Sequence, residues 1–155
     1  MKFIRPALLA AAAAALCAGP LLAQGPADMA IKARKGLMDN LAFNLGTLGG
    51  MAKGAIPYDA KMAQTAADNL AALASVDQAA YWPEGSDDMS ADNTRALPAV
   101  WDKHDEFLKH IVALNEAAGK MKAAAGTDLA SLQGAMGTVG GACGGCHKTF
   151  RAPDN

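Results

Sequence analysis

Toward the end of the sequence the chain reads Cys143-Gly144-Gly145-Cys146-His147, and this spacing constrains the backbone that carries it. On an α-helix Cys143 and Cys146 stand three positions apart, and His147 lies four beyond Cys143. All three side chains can then reach one face. Two thiols and an imidazole converging in this way is the arrangement used to attach haem c. The thiols add to the two vinyl groups of one porphyrin, while the imidazole approaches the iron from the same side.

Other uses of paired cysteines fit less of the sequence. A zinc site wants four ligands, and only the scattered His104 and His110 remain to complete one. A thioredoxin-like redox pair belongs at the start of a helix in a βαβ unit, and no strand pattern is visible nearby. A disulfide across two residues leaves the adjacent His147 without a role. Haem attachment is the reading that uses all three side chains.

The front of the sequence agrees with that chemistry. Lys2 and Arg5 precede an apolar run from Ala7 to Ala18, and Leu21-Leu22-Ala23 offers a small residue before a cut. The run is too short and too alanine-rich for a membrane span and reads as a secretory signal peptide over residues 1–23. Ala15 and Leu16 before Cys17 match a lipoprotein site poorly, so no lipid anchor is expected. The remaining residues, 24–155, form a single domain in this reading. Export to the periplasm suits a haem joined outside the cytoplasm.

Without Lys2 and Arg5 the 14 basic residues fall to 12 against 15 acidic ones, a formal charge of −3. No basic stripe or aromatic-interleaved patch argues for nucleic acid. Alanine richness and few β-branched residues point to helix throughout.

Periodicity predicts four helices. The first spans about Asp28 to Met51, with Ile31, Arg34, Met38, Leu41, Leu45 and Leu48 alternating in steps of three and four. The second follows Ile56-Pro57-Tyr58, with Asp59 as N-cap and Met62, Ala66, Leu70 and Leu73 facing inward. A polar, irregular connection is expected from about Val76 to Leu97. Pro98 suits the first turn of a third helix. Its stripe is Val100, His104, Phe107, Leu108, Ile111 and Asn115, which makes His104 a packed residue and His110 an exposed one. Thr127 or Asp128 caps the fourth, whose stripe runs through Leu129, Leu132, Met136, Val139, the cysteine–histidine cluster and Phe150. The simplest packing is all-α, an antiparallel up-and-down four-helix bundle.

The fourth helix carries Gly134, Gly137, Gly140, Gly141, Gly144 and Gly145, each costing roughly 0.5–1 kcal/mol relative to alanine. One reading is a flat group pressed against the backbone; the other is close helix–helix packing. Clustering around the cysteines favours the first.

With a leader, four predicted helices and the late Cys-x-x-Cys-His, the chain resembles class II c-type cytochromes, the cytochrome c′ family. Matching pieces include Ala33-Arg34-Lys35-Gly36-Leu37-Met38, Lys53-Gly54-Ala55-Ile56-Pro57-Tyr58-Asp59 and Phe150-Arg151. The resemblance implies one covalent haem c on Cys143 and Cys146, with His147 as axial iron ligand. It implies Arg34 and Lys35 at the haem edge near a propionate, Met38 on the distal face, and Arg151 beside the proximal imidazole. Gly144-Gly145 departs from the lysine-containing pair frequent in the family, and the 76–97 connection is longer than usual. Family members pair through their first two helices, and Leu37, Asn44 and Met51 beside the seam are candidates to extend such a homodimer contact.

Function then turns on the sixth coordination position. An open site favours diatomic ligands such as nitric oxide and carbon monoxide; a methionine ligand gives a low-spin electron carrier serving periplasmic redox partners. Met38 suits either. Arg34, four residues earlier, resembles the open-site members and favours a five-coordinate iron. No distal histidine or arginine–histidine pair suggests peroxide cleavage, so the chain reads as a binding or carrier protein rather than an enzyme.

Overall fold

The computed structural model describes residues 25–153, so the leader expected at 1–23 lies outside the described residues. Helices α1 (Pro26–Ala52), α2 (Ala60–Ala74), α3 (Ala99–Asp102), α4 (His104–Ala124) and α5 (Leu129–Phe150) account for most of them. The long helices α1, α2, α4 and α5 pack as sequential neighbours, and α5 returns against α1. This is the antiparallel up-and-down four-helix bundle expected from the periodicity.

Local chemistry sets the helix starts. The Asp59 carboxylate accepts from the Met62 N–H at 2.7 Å, and that of Asp128 accepts from the Ser131 N–H at 2.7 Å. The expected third helix is broken. Pro98 opens the four-residue α3, and Lys103 then leaves helical geometry at φ −122°, ψ 43° before α4 begins. A break resets helical phase, and this moves the inward stripe. His104, Leu108 and Asn115 are exposed, whereas Phe107, Leu114, Ala117, Ala118 and Met121 are buried.

The core joins Leu41, Leu48 and Met51 of α1 to an alanine-lined face of α2 and to Leu132 and Val139 of α5. Alanines at Ala63, Ala67 and Ala118 let α2 and α4 approach closely, since each is fully buried with only a methyl group to place. Met62 and Leu129 were expected inside, but they occupy the first turns of α2 and α5 and stay 49% and 37% exposed. Leu37, Asn44 and Met51 are not a surface for a second copy. All three are buried within the chain, and Asn44 accepts from Asn69 Nδ2 at 3.2 Å. The apolar face of α1 is wider than its three-four seam, and α2 covers the extra width.

Of the six glycines in α5, Gly134, Gly137, Gly140, Gly141 and Gly144 are exposed, and none has a neighbour within 4 Å of where a Cβ would stand. Close helix packing does not account for these five.

Segment 76–97 is irregular apart from a 3-10 turn at Ala79–Tyr81. Its C-terminal end is tied to the end of α5. The Leu97 N–H donates to the Phe150 carbonyl at 3.0 Å and the Ala152 N–H to the Arg95 carbonyl at 2.9 Å, around an antiparallel bridge between Ala96 and Arg151.

Candidate functional site

Between α1, α4, α5 and segment 82–96 lies a cavity of about 740 Å³, a size suited to a cofactor. Helix α5 brings Cys143, Cys146 and His147 to its lining, and α1 brings Arg34, Lys35 and Met38. Arg151, just past the end of α5, completes the set. Every site residue singled out in the sequence therefore lines one cavity. The remaining walls are largely apolar, from Leu41, Leu45, Leu70, Val100, Phe107, Leu114 and Phe150.

The electrostatics keep the thiols protonated and suit metal ligation by the imidazole. Burial pushes the Cys143 thiol up, and burial together with Cys143 pushes the Cys146 thiol up to about 11. Both sulfurs are held as neutral thiols, and neither is in a disulfide. The His147 pKa lies below its ordinary value, from burial first and then from the positive charges of Arg151 and Arg95. All three effects favour the neutral ring, the form that has a lone pair to offer a metal. Arg151 Nη1 stands 3.5 Å from His147 Nδ1, a charge contact too long for a sound hydrogen bond.

Arg34 is placed differently from the expectation that it meets a propionate. It is only 3% exposed, and both of its terminal nitrogens are taken up by segment 81–94. Lys35 Nζ reaches the Asn93 carbonyl at 3.2 Å. The expected roles of His104 and His110 are reversed. His104 is exposed, while His110 is half-buried in the cavity lining with its ring centroid 5.6 Å from that of Phe150. The break at Lys103 is what turns them.

Sequence reasoning missed His110 and the contribution of Trp82, Thr94 and Ala96 to the lining. Trp82 carried the one available signal, a large aromatic residue inside an otherwise polar connection.

The residues fit a covalent haem. A thiol pair and a neutral imidazole lie on one helix, Met38 provides a thioether, and the walls are apolar. Arg34, Lys35, Arg95 and Arg151 line the cavity with a single acid, Asp39, which favours a group bearing carboxylates. Among the described residues no cluster of histidine, cysteine and acidic side chains suits a free metal ion, and no helix is long and apolar enough to cross a membrane.

A family model described as Cytochrome C′ matches residues 29–151. The chain is similar to cytochrome c-554 of Cereibacter sphaeroides, at 51% identity over 97% of this chain and 100% of that one. Among solved structures it resembles the cytochrome c′ of Rhodobacter sphaeroides, with a TM-score of 0.80 and 35% identity over 83% of this chain and 98% of that one. It also resembles the nitric oxide complex of the L16A mutant of cytochrome c′ from Alcaligenes xylosoxidans. That TM-score is 0.71, with 27% identity over 83% of this chain and 97% of that one.

Proposed function

The chain belongs to the cytochrome c′ family of haem proteins, and from that premise we propose that it is an exported electron carrier holding one haem c, with Met38 as sixth ligand. Its compartment is the periplasm, with residues 1–23 as the removed leader, and its partners are periplasmic redox proteins. Haem c, when bound, supplies a one-electron iron couple. Cys143 and Cys146 would hold it through thioethers, and His147 would supply a nitrogen ligand to its iron. Lys35 and Arg151 offset the carboxylates at its edge, and the apolar walls exclude water.

The observation that carries the six-coordinate reading is the thioether of Met38 in the cavity lining. Methionine with histidine raises the reduction potential and fills the iron, as a carrier requires. The sequence favoured an open site because of Arg34. With its guanidinium tied into segment 81–94, that argument loses its force.

A second reading keeps the iron five-coordinate with Met38 as a steric cap, so that nitric oxide or carbon monoxide binds. It is favoured by the nitric oxide complex of the Alcaligenes xylosoxidans mutant. Optical spectra of the purified protein separate the two. Low-spin ferric absorption with a methionine–iron band, lost in Met38→Ala, supports the carrier. High-spin absorption that responds to carbon monoxide without the substitution supports gas binding. Colourless protein of unmodified mass, made in cells competent for cytochrome maturation, would sink both.

A further inference from the structure

We propose that Arg34 is a positioning residue: it fixes segment 81–94 as a wall of the cavity, and through that wall it limits how far water reaches the cofactor. Arg34 Nη1 donates to the Tyr81 carbonyl at 3.1 Å and to Ser86 Oγ at 2.8 Å. Its Nη2 donates to the Ser86 carbonyl and, at 2.7 Å, to Thr94 Oγ1. The guanidinium carbon also sits 4.7 Å from the centre of the Trp82 ring. Five groups spread over fourteen positions of an irregular segment thus close on one planar cation.

The segment's other ties are made at single points: Trp101 Nε1 donates to the Trp82 carbonyl at 3.1 Å, Lys35 Nζ reaches the Asn93 carbonyl, and residues 95–97 pair with 150–152. The Asp88 N–H donates to the Ala96 carbonyl at 2.8 Å, which closes a compact loop, and left-handed backbone at Gly85 (φ 72°) and Asn93 (φ 59°) turns it back on itself. Its interior is polar rather than apolar. Ser86 and Asp87 are 0% and 8% exposed beside the 3% exposed Arg34. Removing the guanidinium leaves the Ser86 carbonyl buried without its donor, so the loop opens rather than collapses.

The same loop presents Trp82, Asn93, Thr94 and Ala96 to the cavity. Solvent exposure and local dielectric set a haem potential, and added water favours the more highly charged oxidised iron. Opening the loop therefore lowers the potential. This consequence rests on the haem c reading above; the structural part does not.

The test compares the wild-type holoprotein with Arg34→Met, Arg34→Lys and the double variant Ser86→Ala/Thr94→Val, which removes two acceptors and leaves Arg34 in place. Amide hydrogen exchange across 82–96 and the midpoint potential are both read. In Arg34→Met, exchange in this segment should be at least about tenfold faster, the factor expected from losing one buried charged hydrogen bond, and the potential should fall. Arg34→Lys should lie between Arg34→Met and wild type. The double variant should move both readouts the same way. Unchanged exchange in Arg34→Met would overturn the proposal. So would a double variant with wild-type exchange and potential, since Arg34 would then act on the cofactor directly. If Arg34→Met does not fold, the double variant decides alone. If the protein carries no haem, the exchange measurement still reads the loop, and it is the haem c reading that fails.

Discussion

Replacing Gly137 and Gly141 together by alanine should stabilise the protein. The two positions lie one turn apart on α5, both are exposed, and an added Cβ at either meets nothing within 4 Å. No contact is gained, so the effect comes from helix propensity and from a less flexible unfolded chain. At roughly 0.5–1 kcal/mol per site the pair contributes about 1–2 kcal/mol. For a domain of this size that raises Tm by roughly 3–10 °C. Thermal unfolding of the holoprotein followed by far-ultraviolet circular dichroism measures it. Gly50→Ala is the control of opposite sign, because its Cβ would stand 2.6 Å from Ile56 Cδ1 and 3.0 Å from Cγ1 and would force the Ile56 side chain to shift. A lowered Tm or lost haem in the Gly137→Ala/Gly141→Ala protein would refute the reasoning. It would mean that something bulky does lie against that face, as the sequence suggested.

The Asp128 carboxylate is held below its ordinary pKa, chiefly by the backbone hydrogen bond from Ser131 and then by the Ser131 side chain. Its contribution to α5 is therefore complete above the unfolded value of about 3.9 and disappears as pH falls through the lowered one. Asp128→Ala should lower Tm at neutral pH and flatten the acid side of the Tm–pH curve; parallel curves for the two proteins would contradict this. Ala67→Leu should destabilise by about 1–3 kcal/mol in urea unfolding, since Ala67 is fully buried where α2 meets its neighbours. A neutral result would show slack in that contact.

What was legible in the sequence was local. Asp59 and Asp128 announce helix starts because a cap acts within three residues, and the cysteine–histidine cluster carries its chemistry in five. The seam of α1 was legible for the same reason. The loop was not, because Arg34 finds its partners 47 to 60 positions away, and no periodicity encodes such a contact. An arginine on an apolar seam signals a buried partner without saying which one. The exchange of roles between His104 and His110 has a similar origin. One non-helical residue, Lys103, shifts the phase of everything after it, and nothing in the residue type warns of the shift.

The stitching of residues 150–152 to residues 95–97 has a bearing on assembly order. A polypeptide that emerges N-terminus first holds the residues of helices α1, α2 and α4 before it holds both halves of this seam. The seam is therefore the last backbone tie of the cavity wall that chain order supplies, after every helix it closes against.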